Sequence, residues 1–369
     1  MLRSGLPITF VVLAALHQRA VAQPIGSITF RDVYVVPFDY RFQGTQVGGL
    51  SGIDYDAKAE TYYIICDDRS ALQPARYYRA SIRISEKGID TVLFTDKVDL
   101  HGQNGKPYPK NSIDPEGLRL NPMTGEAVWT SEGERVVKEK DTVLNDPGIF
   151  VIRDGKFVGQ FPTPPNARMS PHNQGSRNNG AFEALTFADE YRTLWVALEE
   201  PLYQDGPRAD VEQNISPVRF YKFDFKSREL IAQYAIDLEP VAHKPVLPTA
   251  FRVNGVTDIL DSGGGNLLIV ERSFTTGRLP CTVRLFLVDF TKADDVRDVP
   301  SLKEKGGWLA VKTLLIDLDT LGIYVDNVEG ITWGPLLPNG NRTLLLITDN
   351  NFQSFQKTQV FLFEVAKGK

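Results

Sequence analysis

Acidic residues recur at two fixed places along this chain of 369 residues. Glu116, Glu183 and Glu329 each open a short apolar run, and Ser51 and Thr257 hold the matching place in two further runs. A second set, Asp67, Glu132, Glu199, Glu271 and Asp349, closes the apolar run that follows each of these. Carboxylates are poor strand formers and ordinarily belong to turns, so their repeated placement asks for a purpose. Oxygen-only side chains gathered in one place suit a hard cation, Ca²⁺ ahead of Mg²⁺, because Ca²⁺ takes roughly six to eight oxygens in flexible geometry. Few histidines and no cysteine cluster argue against zinc. Two like charges ~6 Å apart at an effective dielectric of about 20 repel by about 3 kcal/mol. Such a set must therefore protonate, meet arginines or bind a cation. Arg69 and Arg272 lie within two residues of the acids and could offset charge or grip an anionic substrate.

The runs that carry these acids form five copies of one pattern. The first strands read "GGLSGIDYD", "DPEGLRLNP", "AFEALTFAD", "NGVTDILDS" and "NVEGITWGP", about 70 residues apart. Second strands follow ("TYYIICDDRS", "EAVWTSEGE", "TLWVALEEP", "NLLIVERSF", "TLLLITDNN"), then third strands such as "GIFVIRD" and "VRLFLVDF". Four copies add a fourth strand: "TVLFTDKVDL", "KFVGQFPTP", "LIAQYAIDL" and "KTLLIDL". β-branched and aromatic enrichment with turn punctuation such as "NPMTGE" and "LPNGN" supports strands, and helical stripes are scarce. Repeated four-strand units predict an all-β fold, a β-propeller of five blades, or six if two copies are merged. The last copy lacks its fourth strand, and "GSITFRDVYVVPF" near the N terminus can supply it and close the ring. A two-sheet sandwich is the alternative architecture, but it does not require the acids to recur in register.

Antiparallel order puts the start of each first strand and the end of each second at the same end of the ring. The long connections, among them "HGQNGKPYPKNSIDP" and "TPPNARMSPHNQGSRNNG", fall at that end too. Long loops on a compact scaffold commonly carry binding or catalysis. His101, His172 and His243 lie in these loops, where chance placement accounts for them as well as function does. Gly263-Gly264-Gly265 sits in a turn at the other end with no helix after it, so it is read as a turn and not a phosphate cradle.

The remaining features bound the setting. Residues 1–22 combine Arg3, an apolar stretch from Leu6 to Leu16 and Ala20-Val21-Ala22, the pattern of a secretory leader. That predicts an exported protein, secreted or periplasmic, with residues 23–369 as a single domain. The apolar stretch is too short to span a bilayer, which takes about 20 residues, and no membrane span is expected. The formal charge is −5, and no basic stripe interleaved with aromatics suggests nucleic acid as a partner. Cys66 and Cys281 could pair in an oxidising compartment, but they fall in non-adjacent copies, so two separate thiols are expected. Asn214 and Asn341 open glycosylation sequons.

"GGLSGIDYD…YYIICDDRS", "DPEGLRL", "NNGAFEALTF…LWVALEEPL" and "NVEGITWG…LLLITDNNF" resemble the exported phytase-like proteins of the "esterase-like activity of phytase" family, over roughly residues 45 to 366. The resemblance implies a propeller-type phosphoesterase whose active centre is acidic. The matching acids here are Asp67, Asp68, Glu116, Glu132, Glu183, Glu199, Glu200, Glu271, Glu329 and Asp349; Thr257 departs from the pattern. Joined to the residue reading, it predicts a secreted metal-dependent hydrolase of small phosphoric esters, phytate-like or phosphodiester, acting at the acidic channel mouth. Glu116, Glu183 and Glu329 would be catalytic, and Arg69 and Arg272, with Lys138 or Arg208 from the loops, would hold the substrate. Asp67, Glu132, Glu199, Glu271 and Asp349 would bind metal. No G-x-S-x-G elbow is present, which argues against a serine esterase. A non-catalytic propeller that binds a cation or other ligand, and a calcium-dependent lactonase-like esterase, are the rival expectations.

Overall fold

The computed structural model describes residues 25–303 and 309–368; the leader expected at residues 1–22 lies outside them. Five four-stranded antiparallel sheets follow one another around an axis. Their innermost strands are Leu50–Asp56, Pro115–Asn121, Phe182–Ala188, Arg252–Gly263 and Asn327–Leu336, and each touches the next in order, the fifth returning to the first. These define blades one to five of a β-propeller. Inner strands are buried along nearly their whole length, because neighbouring blades cover both faces. Polar side chains are enclosed with the apolar ones, among them Glu116, Arg119, Glu183 and Thr186.

Each expected fourth strand is present, the shortest being Lys156–Gln160 in blade two. Blade five is completed by Ile25–Val36, which pairs antiparallel with Thr358–Lys367. The ring is thus closed by strands from both ends of the described chain, with Ile25–Val36 as the outermost strand of blade five. Buried clusters fill the wedges between blades, with Trp195, Phe220, Tyr221 and Phe223 in the largest. Cys66 and Cys281 are separate buried thiols. Among the described residues, no helix is long and apolar enough to cross a membrane.

A bulge interrupts the pairing of first and second strands in all five blades. It falls between Leu50 and Gly52, Pro115 and Leu118, Phe182 and Ala184, Val256 and Asp258, and Val328 and Gly330. A bulge re-aims a side chain that regular pleating would send elsewhere. The bulged positions are Ser51, Glu116, Glu183, Thr257 and Glu329, the same places picked out by the repeat. In three blades a glycine follows, and space explains it. A Cβ on Gly117 would lie 2.9 Å from the Glu183 carbonyl oxygen and against Leu185, and one on Gly330 would lie 3.0 Å from the Ile53 amide nitrogen. At these two contacts the inner strands of adjacent blades approach too closely to admit that atom.

Deeper in the channel, Arg119 crosses the axis. Its guanidinium donates to the carbonyls of Ile53, Leu118, Ile259 and Ile331 and to Asp258 Oδ2 at 2.7 Å. One side chain ties four blades and closes the channel below the acidic mouth.

Candidate active site

The bulges and strand ends deliver their side chains to one mouth of the channel. There, nine Asp or Glu residues and two arginines line a single pocket of about 390 Å³. Blade one contributes Asp67, Asp68 and Arg69; blade two Asp114, Glu116 and Glu132; blade three Glu183 and Glu199; blade four Arg272; blade five Glu329 and Asp349. All three expected catalytic glutamates, both expected substrate arginines and four of the five expected metal ligands are brought together.

Glu271 is not among them. The expected alignment set it beside Asp67, Glu132, Glu199 and Asp349, but strand pairing shows an offset of one residue. Those four acids lie across from Gly49, Asp114, Ala181 and Asn327, each two residues before the bulged position. In blade four the residue across from Gly255, two before Thr257, is Arg272, whereas Glu271 pairs with Val256. A shift of one residue turns a side chain to the opposite face of a strand. Glu271 accordingly points away, where its carboxylate accepts from Lys312 Nζ, Asn254 Nδ2 at 2.8 Å and the Glu239 amide at 3.0 Å. Blade four therefore gives the ring a cation where the other blades give an anion.

Arg272 makes use of that position. It donates to Glu199 Oε1 at 3.1 Å and to Glu329 Oε1 at 3.2 Å, while its Nε is buried without a partner. Asn327 Nδ2 holds the same Glu329 oxygen at 2.7 Å. Arg69 pairs with Asp114, an acid the repeat alignment passed over. Its place directly after "NSI" and two residues before the bulged Glu116 is the signal that strand register would have supplied. Glu132 Oε1 accepts from the Ala181 amide at 2.6 Å, locking blade two to blade three. Asp349 accepts from the Asn351 amide. Asp67 Oδ1 is buried and unpartnered.

Two acids implied by the resemblance have other work. Asp68 accepts from the amides of Ala71, Leu72 and Gln73 and from buried Arg76 at 2.9 Å, so it shapes a loop. Glu200 pairs with Arg208 at 2.8 Å on the neighbouring wall. Lys138 is exposed and lines neither pocket at this mouth. His101, His172 and His243 do not line the acidic pocket either; His243 instead meets Asp319 at 3.3 Å.

Crowding and burial shape the electrostatics. Burial, then the charges of Glu183 and Asp114, pushes Glu116 well above the ordinary carboxyl range. Glu183 is raised by burial and by Glu132 and Glu199, and Asp349 by burial and Asp67. Asp67 is pushed up to about 8, chiefly by burial and then by Glu329. Glu329 rises only to about 7, because Arg272 counters its burial. Three triads have oxygens within 4.8 Å of one another: Asp114, Glu116 and Glu132; Glu116, Glu183 and Glu329; and Glu132, Glu183 and Glu199. Convergent carboxylates, too many for two arginines to balance and with one orphaned oxygen, form a donor set that fits a hard divalent cation.

A family model described as phytase-like, esterase-like activity of phytase, matches residues 45–352. No curated protein matches the chain in sequence. Among solved structures, the exo-β-1,3-galactanase of Phanerochaete chrysosporium is similar at a TM-score of 0.48 and 12% identity, over 89% of this chain and 64% of that one. This chain thus spans less than two thirds of the galactanase's length. The α-L-arabinofuranosidase of Lactobacillus brevis aligns at 0.47 and 10% identity, over 89% of this chain and 92% of that one.

Proposed function

The chain belongs to the phytase-like family described by esterase-like activity, a hydrolase-type propeller, and from that premise we propose that its acidic mouth hydrolyses phosphoric esters with the help of Ca²⁺. The observation that carries this reading is the set of three carboxylate triads within 4.8 Å on converging blades. Asp114, Glu116, Glu132, Glu183 and Glu199 would hold the cation, with Asp67 and Asp349 completing the negative rim. When bound, the cation screens repulsion between carboxylates and phosphate and polarises the phosphoryl oxygen.

The chain's own residues do the rest. Arg272, pinned between Glu199 and Glu329, lines the pocket, where its guanidinium would meet a phosphate oxygen. Arg69, partly exposed at the rim, offers a second grip. Glu329, held by Asn327 and Arg272 and poised at about 7, takes the proton of the attacking water; a group near neutrality suits that exchange. Residues 1–22, read as a secretory leader, support the same chemistry in an exported protein.

A substrate panel tests the reading: p-nitrophenyl phosphate, bis-p-nitrophenyl phosphate, phytate and a lactone, each with calcium and with chelator. Phosphate-ester turnover that chelator abolishes, and that falls at least about a hundredfold in Glu329→Gln, supports it. Turnover of the lactone alone points to a neutral ester as substrate. No turnover, with calcium still raising the melting temperature, points to a binding propeller.

A further inference from the structure

The acidic pocket does not end at its own wall. Glu199, Arg272, Glu329 and Asn351 also line a second cavity of about 710 Å³ that opens towards blades four and five. Its character is different. Phe251, Val253, Phe274, Leu279 and Phe355 form much of the lining, and Phe251, Leu279 and Phe355 are each more than half exposed. The rings of Phe251 and Phe274 lie 6.0 Å apart. Isolated exposed apolar side chains are ordinary, but a contiguous set in a concave wall marks a binding surface.

Charge in the two cavities points the same way. Among the described residues, four arginines and no lysine line them. Each of the four has a carboxylate partner: Arg69 with Asp114, Arg272 with Glu199 and Glu329, Arg208 with Glu200, and Arg278 with Asp319. No surplus of fixed positive charge remains to receive a molecule with many phosphates.

We propose that the ester hydrolysed at this mouth carries one phosphoryl centre and an apolar alkyl or aryl substituent that lies in the adjoining cavity, and that densely phosphorylated esters such as phytate are rejected. The inference rests on the reading of the mouth as a phosphoesterase and specifies its substrate class. The occupant follows from continuity: a phosphoryl group among Glu199, Arg272 and Glu329 has the apolar wall as its neighbour. In the reaction, water oxygen bonds to phosphorus and the bond from phosphorus to the leaving oxygen breaks. One water proton passes to the carboxylate and a proton ends on the departing alcohol, while the apolar substituent stays in its cavity.

A series of alkyl 4-nitrophenyl phosphates, from methyl to hexyl, tests this with the full chain and calcium. The leaving group is constant, so kcat/KM reports the wall. We expect a rise of about threefold per added methylene over the first few, a flattened slope in Leu279→Ala and Phe355→Ala, and phytate at least about a hundredfold poorer than the hexyl ester. A flat series, or phytate turned over as well as the hexyl ester, overturns the proposal while leaving the phosphoesterase reading intact. Calorimetric binding of methylphosphonate and hexylphosphonate reads the same wall without catalysis. If no ester is hydrolysed, the functional reading falls, yet tighter hexyl binding that Leu279→Ala abolishes still supports the apolar site, and equal affinities overturn it.

Discussion

Glu329 and Asp67 show how crowding sets the behaviour of single residues at this mouth. Their carboxyls sit at about 7 and about 8, against about 4 in an unfolded chain. Between those values the folded protein holds protons that the unfolded chain has released, so metal-free stability falls as pH rises from about 4 to about 8. Melting temperatures in chelator should decline across that window, and calcium should reverse the decline by replacing the protons; a flat or rising curve would show that the acids are not mutually strained. Glu183→Gln removes one repelling charge and should raise the metal-free melting temperature at pH 8 while shrinking the gain from calcium. A merely structural Glu183 would give a lower melting temperature instead. The identities of these acids were legible in the sequence because they recur. Asp114 was not, since nothing repeats it, and its importance comes from meeting Arg69 across a blade boundary.

At the scale of the strand, the bulge is what turns a repeat into a site. Composition and turn punctuation disclosed all five blades, the four fourth strands and the closing strand, because each apolar run is short and ends at a strong turn signal. Register was not disclosed. "VERS" in blade four offers a glutamate and an arginine side by side, and only pairing with Gly255 and Val256 decides which faces the axis. Glycine after the bulge is the element's other requirement. Gly117→Ala would drive a methyl against Leu185 and the Glu183 carbonyl. It should cost about 1–3 kcal/mol by overpacking, read as a lower urea midpoint. Unchanged stability would mean that the inner strands can separate freely.

Over the whole molecule, the ring must bring like charges together without coming apart. Hydrophobic wedges between blades and strands from both ends of the described chain supply the cohesion, and Arg119 ties the blades from within. Arg119→Met would leave Asp258 buried beside unsatisfied carbonyls and should cost about 3–5 kcal/mol. Adding Asp258→Asn should recover part of that loss, and additive losses would show that the pair is not coupled. With the channel closed at Arg119, the acidic mouth and its apolar neighbour form a blind site. The account stands on the convergence of those carboxylates upon a cation. A crystal soaked in calcium and measured for anomalous scattering tests it most directly. We predict an ion bonded at about 2.3–2.6 Å to oxygens of at least three of Asp114, Glu116, Glu132, Glu183 and Glu199. An ion bound only elsewhere, with these carboxylates paired to one another through protons, would contradict it.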